Sequence, residues 1–430
     1  MKKSLLAIGA GLVVLGLAWA GTGFYVGTKA QQALLDLSSP KDKPTSPWKI
    51  EGLRHERGLF KSSGQLTALY SENCAQADGS DEPLRLAVSY TIEHLPLPQS
   101  PARFSWNLTP QGEAADVFKT LFGSVSALSG QGTISYSGAV RSGLQLPAVA
   151  LRRNGEVIEA TPTSGTLEIK DKTLRFDSTV EKVSVRGKGR ALVVQGLSVG
   201  LDLDDLRKGT GSGQFKVERA SASGGSLEGL EFKMDAREKG DRMNLDFSPS
   251  VRKIEAAGQM FTDLRMQWAV HGLHTASVES LIKLVDESCG MEDMTAQDRK
   301  MAAQALQTLL VKGLSVGMPV LAGKAAEGRI EGSFKVELQP AQGDTPSLVQ
   351  QLRSSGKLEV EGQVVSPQQQ EMAVVAGFAV REGNKLSTRY EYARGLFKVN
   401  DRAMDASAFE VMLTRIDTKM REALSLMRQP

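Results

Sequence analysis

Cysteine is nearly absent: Cys74 and Cys289 are the only two in 430 residues. One pair is what a single disulfide needs in an oxidising compartment, and two buried free thiols are the alternative. A block of one charge sign is missing as well. Lysine and arginine number 52 against 49 acidic residues, and the densest basic cluster is only Arg186-Gly187-Lys188-Gly189-Arg190. That argues against nucleic acid as a partner. No H-E-x-x-H pattern surrounds His271 and His274, so a turn with two exposed histidines is preferred to a metal site. Gly209-Thr210-Gly211-Ser212-Gly213 lacks the lysine of a phosphate loop and reads as a hairpin.

What is present begins with an uncharged run. Lys2 and Lys3 precede Ser4–Thr28, which holds no charged residue. Those positions make a helix of roughly 37 Å, enough for a bilayer core of roughly 30 Å. Two N-terminal lysines place that end in the cytoplasm by the positive-inside rule, so the rest of the chain is expected to be exported. The expectation is a bacterial inner membrane, single-pass, with the C-terminal part periplasmic. A cleaved signal peptide is the alternative, because Ala18-Trp19-Ala20 has the small-x-small form of a cleavage site. Gly23 and Gly27 form a G-x-x-x-G pair that would let two copies pair as a homodimer.

The expected domains are an anchor over 1–28, a proline-containing linker over 29–47, a β-rich region over 48–274 and a helix-containing α+β region over 275–430. Alternating runs such as Arg103–Leu108 and Gly165–Lys170 predict antiparallel strands with one wet face. Asn154-Gly155 predicts a two-residue hairpin. Helices are expected where apolar residues recur at helical spacing. These are Phe118, Leu121, Phe122, Val125 and Leu128; Val278, Leu281, Ile282 and Val285; and Met301 to Leu310 after Thr295-x-x-Asp298. Two more follow Ser366-Pro367 and Ser407-x-x-Glu410, the last carrying Phe409, Leu413, Ile416, Met420, Leu424 and Met427. All these stripes are expected to be core. The fold class is therefore α+β: one N-terminal transmembrane helix, then long twisted antiparallel sheets with amphipathic helices packed on one face. Gln195–Gly200 returns as Lys312–Gly317 and Phe215–Glu218 as Phe334–Glu337, suggesting a duplicated β unit.

Both Gly-Leu-Ser-Val-Gly segments satisfy G-x-S-x-G, but Ser315 has no histidine after it and Ser198 is followed by no packed helix. A hydrolase site is not expected at either, and no catalytic, cofactor or metal residue is assigned. An envelope hydrolase or transferase stays the rival reading, and a protein-interaction module or assembly chaperone a third.

The segment Glu56-Arg57-Gly58-Leu59-Phe60-Lys61-Ser62 and the closing hairpin Thr388–Tyr392 to Phe397–Asp401 resemble the YdgA-like family of bacterial envelope proteins. The motif residues are Arg57, Gly58, Phe60 and Ser62. The resemblance implies an inner-membrane-anchored periplasmic protein with no established activity and supplies no catalytic residues. The expected role is non-catalytic: binding lipid or another apolar ligand, or scaffolding envelope assembly with other envelope proteins. No cofactor is expected.

Overall fold

The computed structural model describes residues 48–427, apart from 58–60, 71–83, 95–101, 125–127, 136, 154, 188, 207, 288–293 and 344–345. The expected anchor and linker, Gly58, Phe60, Cys74 and Cys289 lie outside the described residues. Of the described residues, 63% are strand and 21% helix. All 22 strands pair antiparallel wherever pairing is described. The α+β expectation is thereby corrected: this is a predominantly β protein. The helical stripes are real, but the helices gather at strand ends instead of forming a layer over a sheet face. Among the described residues no helix is long and apolar enough to cross a membrane.

The chain divides into two compact units, one up to residue 207 with 287–293, the other from Lys208 onward. The first contains β1 (Trp48–Arg57), β2 (Lys61–Tyr70), β3 (Leu84–His94), β4 (Ala102–Gln111), β5 (Leu128–Ile134), β6 (Val140–Leu146), β7 (Val149–Arg153), β8 (Glu156–Ala160), β9 (Thr163–Lys170), β10 (Thr173–Gly187) and β11 (Arg190–Asp205). The ladder runs β1-β2-β3-β4-β5-β6-β9-β10-β11, and the expected β7–β8 hairpin pairs with the second half of β10. Strict alternation along β4 buries Ala102, Phe104, Trp106 and Leu108 and exposes Arg103 and Ser105. These residues join one apolar cluster with Leu66, Leu86, Leu144, Leu167 and Phe176.

Glycines let the large rings lie flat across neighbouring strands. Gly130 is paired with Trp106, Gly132 with Phe104 and Gly64 with Tyr90. A Cβ on Gly64 would stand 2.2 Å from the Tyr90 ring. The small residue thus makes the space that the aromatic fills. Trp106 Nε1 donates to Ser142 Oγ at 3.1 Å, satisfying the one polar atom of the ring. The only helix described here, α1 (Glu113–Phe122), stops short of the expected Val125 and Leu128 because Gly123 takes the left-handed conformation, φ 70°. Leu128 enters β5 instead.

The second unit contains β12 (Thr210–Ala222), β13 (Gly225–Lys239), β14 (Arg242–Ala256), β15 (Gln259–His274), β16 (Leu314–Ala325), β17 (Gly328–Leu338), β18 (Leu352–Gly362), β19 (Val380–Glu382), β20 (Lys385–Ala393), β21 (Leu396–Val399) and β22 (Arg402–Met404). Strands β12 to β18 pair in sequence, β20 follows β18, and β19 and β21 share the far edge of β20. Its helices are α2 (Thr275–Glu287), α3 (Ala296–Lys312), α4 (Leu348–Gln351), α5 (Pro367–Val375) and α6 (Ser407–Leu426). Because α2 and α3 join β15 to β16, α4 joins β17 to β18, and α6 follows β22, four helices gather at one end of the strands. There Met243, Leu309, Leu338, Tyr392 and Leu413 are buried. Asp417 ties α6 down by accepting from Leu348 N at 3.1 Å, at the start of α4.

Among the described residues two buried hydroxyls of that cap are orphaned, those of Thr275, at the start of α2, and of Tyr392. The Tyr392 hydroxyl has no hydrogen-bond partner, and its ring packs edge-on against Phe409 at 4.7 Å between centroids. Desolvating an unpaired hydroxyl costs about 1–3 kcal/mol. Tyr392→Phe is therefore expected to raise stability by about 1 kcal/mol, checked by denaturant midpoint; a drop of that size would show that the hydroxyl is paired in solution.

Candidate functional site

Alternation in the second unit sorts its sheet into two unlike faces. On one face, Met234, Phe247 and Trp268 align across β13, β14 and β15. Beside them run Phe215, Phe232 and Pro249, then Val217, Leu230, Val251 and Leu264. The face continues through Leu321, Gly332 and Leu358 and through Ile330, Val360 and Leu386. Ring contacts confirm the shared side: Phe232 meets Phe247 at 6.2 Å, and Trp268 meets Phe334 edge-on at 5.6 Å. The four clustered helices cover only the end bearing Met243 and Leu338. Away from that end the face stays open, with Phe232 37% and Trp268 39% exposed.

Register shifts near Thr262–Arg265, Gln267–Ala269 and Met318–Leu321 bulge adjacent strands at neighbouring levels. Bulges bend a strand and increase its twist, which curves the sheet locally. The opposite face carries cross-strand ion pairs: Lys216–Glu231 at 3.2 Å, Arg329–Glu361 at 2.7 Å and Lys385–Glu359 at 2.8 Å. The Lys233 hydrogen bond holds the Glu231 carboxyl below its usual range, and Lys385 does the same to Glu359. Charge and water therefore belong to one side of this sheet, and apolar contact to the other.

The charged face has a depression of ≈ 490 Å³ lined by His271, Ser315, Lys335, Lys357 and Arg389, among others. Here the fold answers an objection raised from sequence order. His271 precedes Ser315 in the chain, yet the two are register partners across β15 and β16. His271 Nε2 also lies 3.1 Å from Asp246 Oδ1 on β14. Serine, histidine and acid therefore stand on three adjacent strands. The relay is incomplete: among the described residues no hydrogen bond joins Ser315 to His271, and the His271 side chain is 44% exposed. Ser315 also sits within a strand, where ladder bonding uses the backbone N–H groups that an oxyanion hole would need. Ser198 faces Thr179 across β10 and β11.

The second histidine goes elsewhere. His274 Nδ1 is 2.9 Å from Ser277 Oγ, so the two histidines do not converge. Beside it, Arg242 donates to the carbonyls of Gly272, Lys312 and Gly313 at 2.6, 2.9 and 3.0 Å, clamping the end of α3 to the sheet. Burial, then the Lys312 charge, pushes the His274 pKa below its ordinary value of 6.5. Folding thus favours neutral His274. The stability this confers is complete above about pH 6.5 and is lost as pH falls through that value toward the folded pKa. The melting temperature is expected to fall between about pH 7 and pH 5, and His274→Asn to flatten that slope. An unchanged slope in the variant would remove His274 as its cause.

The first unit offers a different surface. Its outer face bears two rows without charge: Gln65, Ser89, Asn107, Ser129, Gln145 and Ser164, and beside it Ser63, Thr91, Ser105, Gln131, Gly143 and Thr166. They frame a shallow depression of ≈ 420 Å³; Tyr90, between Ser89 and Thr91, turns its phenol to the core instead. Burial pushes that phenol up, which leaves it neutral. Of the motif residues, Ser62 is buried on β2 opposite Arg57, a structural position. Arg394 and Gly395, the same dipeptide as Arg57-Gly58, form the two-residue turn between β20 and β21 with φ 50° and 80°.

These features define a β-sheet protein with one broad apolar face, without an assembled catalytic centre or a group of three His, Cys, Asp or Glu placed for a metal among the described residues. The chain belongs to a family of bacterial proteins of unknown function (DUF945), whose model matches residues 1–369. No curated protein and no solved structure matches it.

Proposed function

We propose that the second unit holds lipid acyl chains, or a ligand of like apolarity, on its open face, and that residues 4–28 anchor the protein in a bacterial inner membrane with the remainder in the periplasm. Within its family we place it in the YdgA-like group. The observation that carries the reading is the pairing of Phe232, Phe247, Trp268 and Phe334 on a face that the unit's helices leave uncovered. Burying apolar surface of this kind contributes about 25 cal/mol per Å², and a contiguous exposed apolar patch marks a binding surface. The ion-paired opposite face keeps the loaded sheet wetted. Protein purified without solvent extraction is expected to yield co-purifying lipid by mass spectrometry and, once delipidated, to take up acyl chains from vesicles. Delipidated protein that stays equally soluble and extracts nothing would end the proposal.

A second reading, an envelope hydrolase, is favoured by the alignment of Ser315, His271 and Asp246. Its weakness is the exposed, unbonded geometry described above. A fluorophosphonate probe separates the two: labelling that disappears in Ser315→Ala would establish the hydrolase, whereas acyl-chain binding requires none.

A further inference from the structure

The helix α5 and the strand β19 that follows it stand apart from the other helices of the second unit. They connect β18 to β20, so they lie at the strand end opposite the cap made by α2, α3, α4 and α6. The helix is held firmly. Ser366 Oγ accepts from Gln369 N at 3.4 Å with Pro367 opening the helix, and Gln370 Nε2 donates to the carbonyls of Gly362 and Val365 at 3.0 and 2.9 Å. Asn400 Nδ2 donates to Phe378 O at 3.1 Å beyond the helix. Yet none of the helix's own residues is buried. Its large apolar side chains and those just after it point away from protein: Met372 is 57% exposed, Val375 79%, Phe378 50% and Val380 44%. The helix expected after Ser366-Pro367 was expected to face the core, yet of Met372, Val375, Ala376 and Ala379 only Ala379 is buried.

The position of this patch names its occupant. Ile330, Val360 and Leu386, one row of the open apolar face, lie at the same strand end, two residues before Gly362. Met372, Val375 and Phe378 lie at that uncapped end, whereas β19 sets Arg381 beside Leu386 and Val380 beside Ser387, on the ion-paired side. The only charged residues on α5 and β19 are Glu371, Arg381 and Glu382, with Arg381 3.7 Å from Glu371, and none lies between Met372 and Val380. A carrier of acyl chains needs such a lip, because the chains must leave a bilayer without crossing water. The same chain supplies an uncharged run over Ser4–Thr28, and stable membrane attachment is strengthened by a second apolar contact.

We propose that Met372, Val375 and Phe378 form a lip that inserts into the surface of a lipid bilayer and passes acyl chains to the open face of the second unit. The inference rests on the acyl-chain reading of that face. The full chain is reconstituted into vesicles of phosphatidylcholine and phosphatidylglycerol, with benzoylphenylalanine replacing Phe378 and, as a control, Lys233 on the charged face. Illumination is expected to give phospholipid adducts at position 378 and none at position 233. Adducts between two copies of the chain at 378, or no adducts there, would overturn the lip. In a parallel assay, Val375→Asp with Phe378→Asp is expected to slow acyl-chain uptake from vesicles at least tenfold while leaving binding of a soluble short-chain fatty acyl probe unchanged. Uptake at the normal rate refutes the lip and spares the open face. Loss of probe binding in Trp268→Asp, with a normal melting curve, shows the face to be working; normal binding in that variant refutes the reading beneath the lip.

Discussion

Trp268→Asp, alone or with Phe232→Asp, is expected to weaken binding of apolar ligands by more than an order of magnitude while leaving the melting temperature within a few degrees of the parent. Both side chains belong to the open face and are more than a third exposed, at 39% and 37%. Substitutions at such sites away from tight packing change stability little, about 0.5 kcal/mol in either direction. A bound acyl chain changes the balance, because it would cover the new carboxylate. An unpaired polar group under apolar cover costs roughly 2 kcal/mol or more, which is about a 30-fold loss of affinity. The partner experiment places the same charge on the wet side: Ser248→Asp, on the opposite face of β14, is expected to leave affinity unchanged. Fluorescence titration with an acyl probe reads both. Equal affinities in the two variants would move the ligand off this face.

The largest loss of stability is expected from a single methyl group in the first unit. A Cβ on Gly130 would stand 2.3 Å from the Gly143 carbonyl oxygen and 2.5 Å from Trp106 Nε1. The backbone oxygen cannot rotate away, and the ring is held by its bond to Ser142 Oγ. Overpacking of this kind costs about 1–3 kcal/mol, with more when backbone must move. Gly130→Ala is expected to lie at the upper end of that range and Gly130→Val beyond it. Gly143→Ala, on the neighbouring strand, is the control, since its Cβ would meet nothing closer than 3.7 Å. The check is denaturant unfolding followed by the fluorescence of Trp106, and equal midpoints for the two alanine variants would show that β5 and β6 can separate at low cost. The pair also tests whether the glycine-for-aromatic exchange organises this core.

Local chemistry was legible where neighbours in the chain decide it. Arg153 pairs with Glu156 where β7 meets β8, the register that an Asn-Gly hairpin predicts. Thr295 and Asp298 exchange the two hydrogen bonds of a capping box, each at 3.1 Å. Alternation in Arg103–Leu108 foretold which side chains of β4 face the core. These depend on φ preferences and on period, both properties of a short segment.

Contacts between distant segments were not legible in that way. The stripe on α2 was expected to be core, but Val285 is 68% exposed while Leu284, off the stripe, is buried. Helical spacing marks an apolar side and cannot say whether another element arrives to cover it. Ser315 lacked a later histidine in the sequence; register across β15 and β16 brought it an earlier one. The open face has the same origin. Each strand of the second unit announces one apolar side, and composition alone suggested helices lying over it. Only the tertiary structure placed three of those helices, together with α4, at one strand end and α5 at the other, because a connection between antiparallel neighbours leaves and re-enters the sheet at the same strand end.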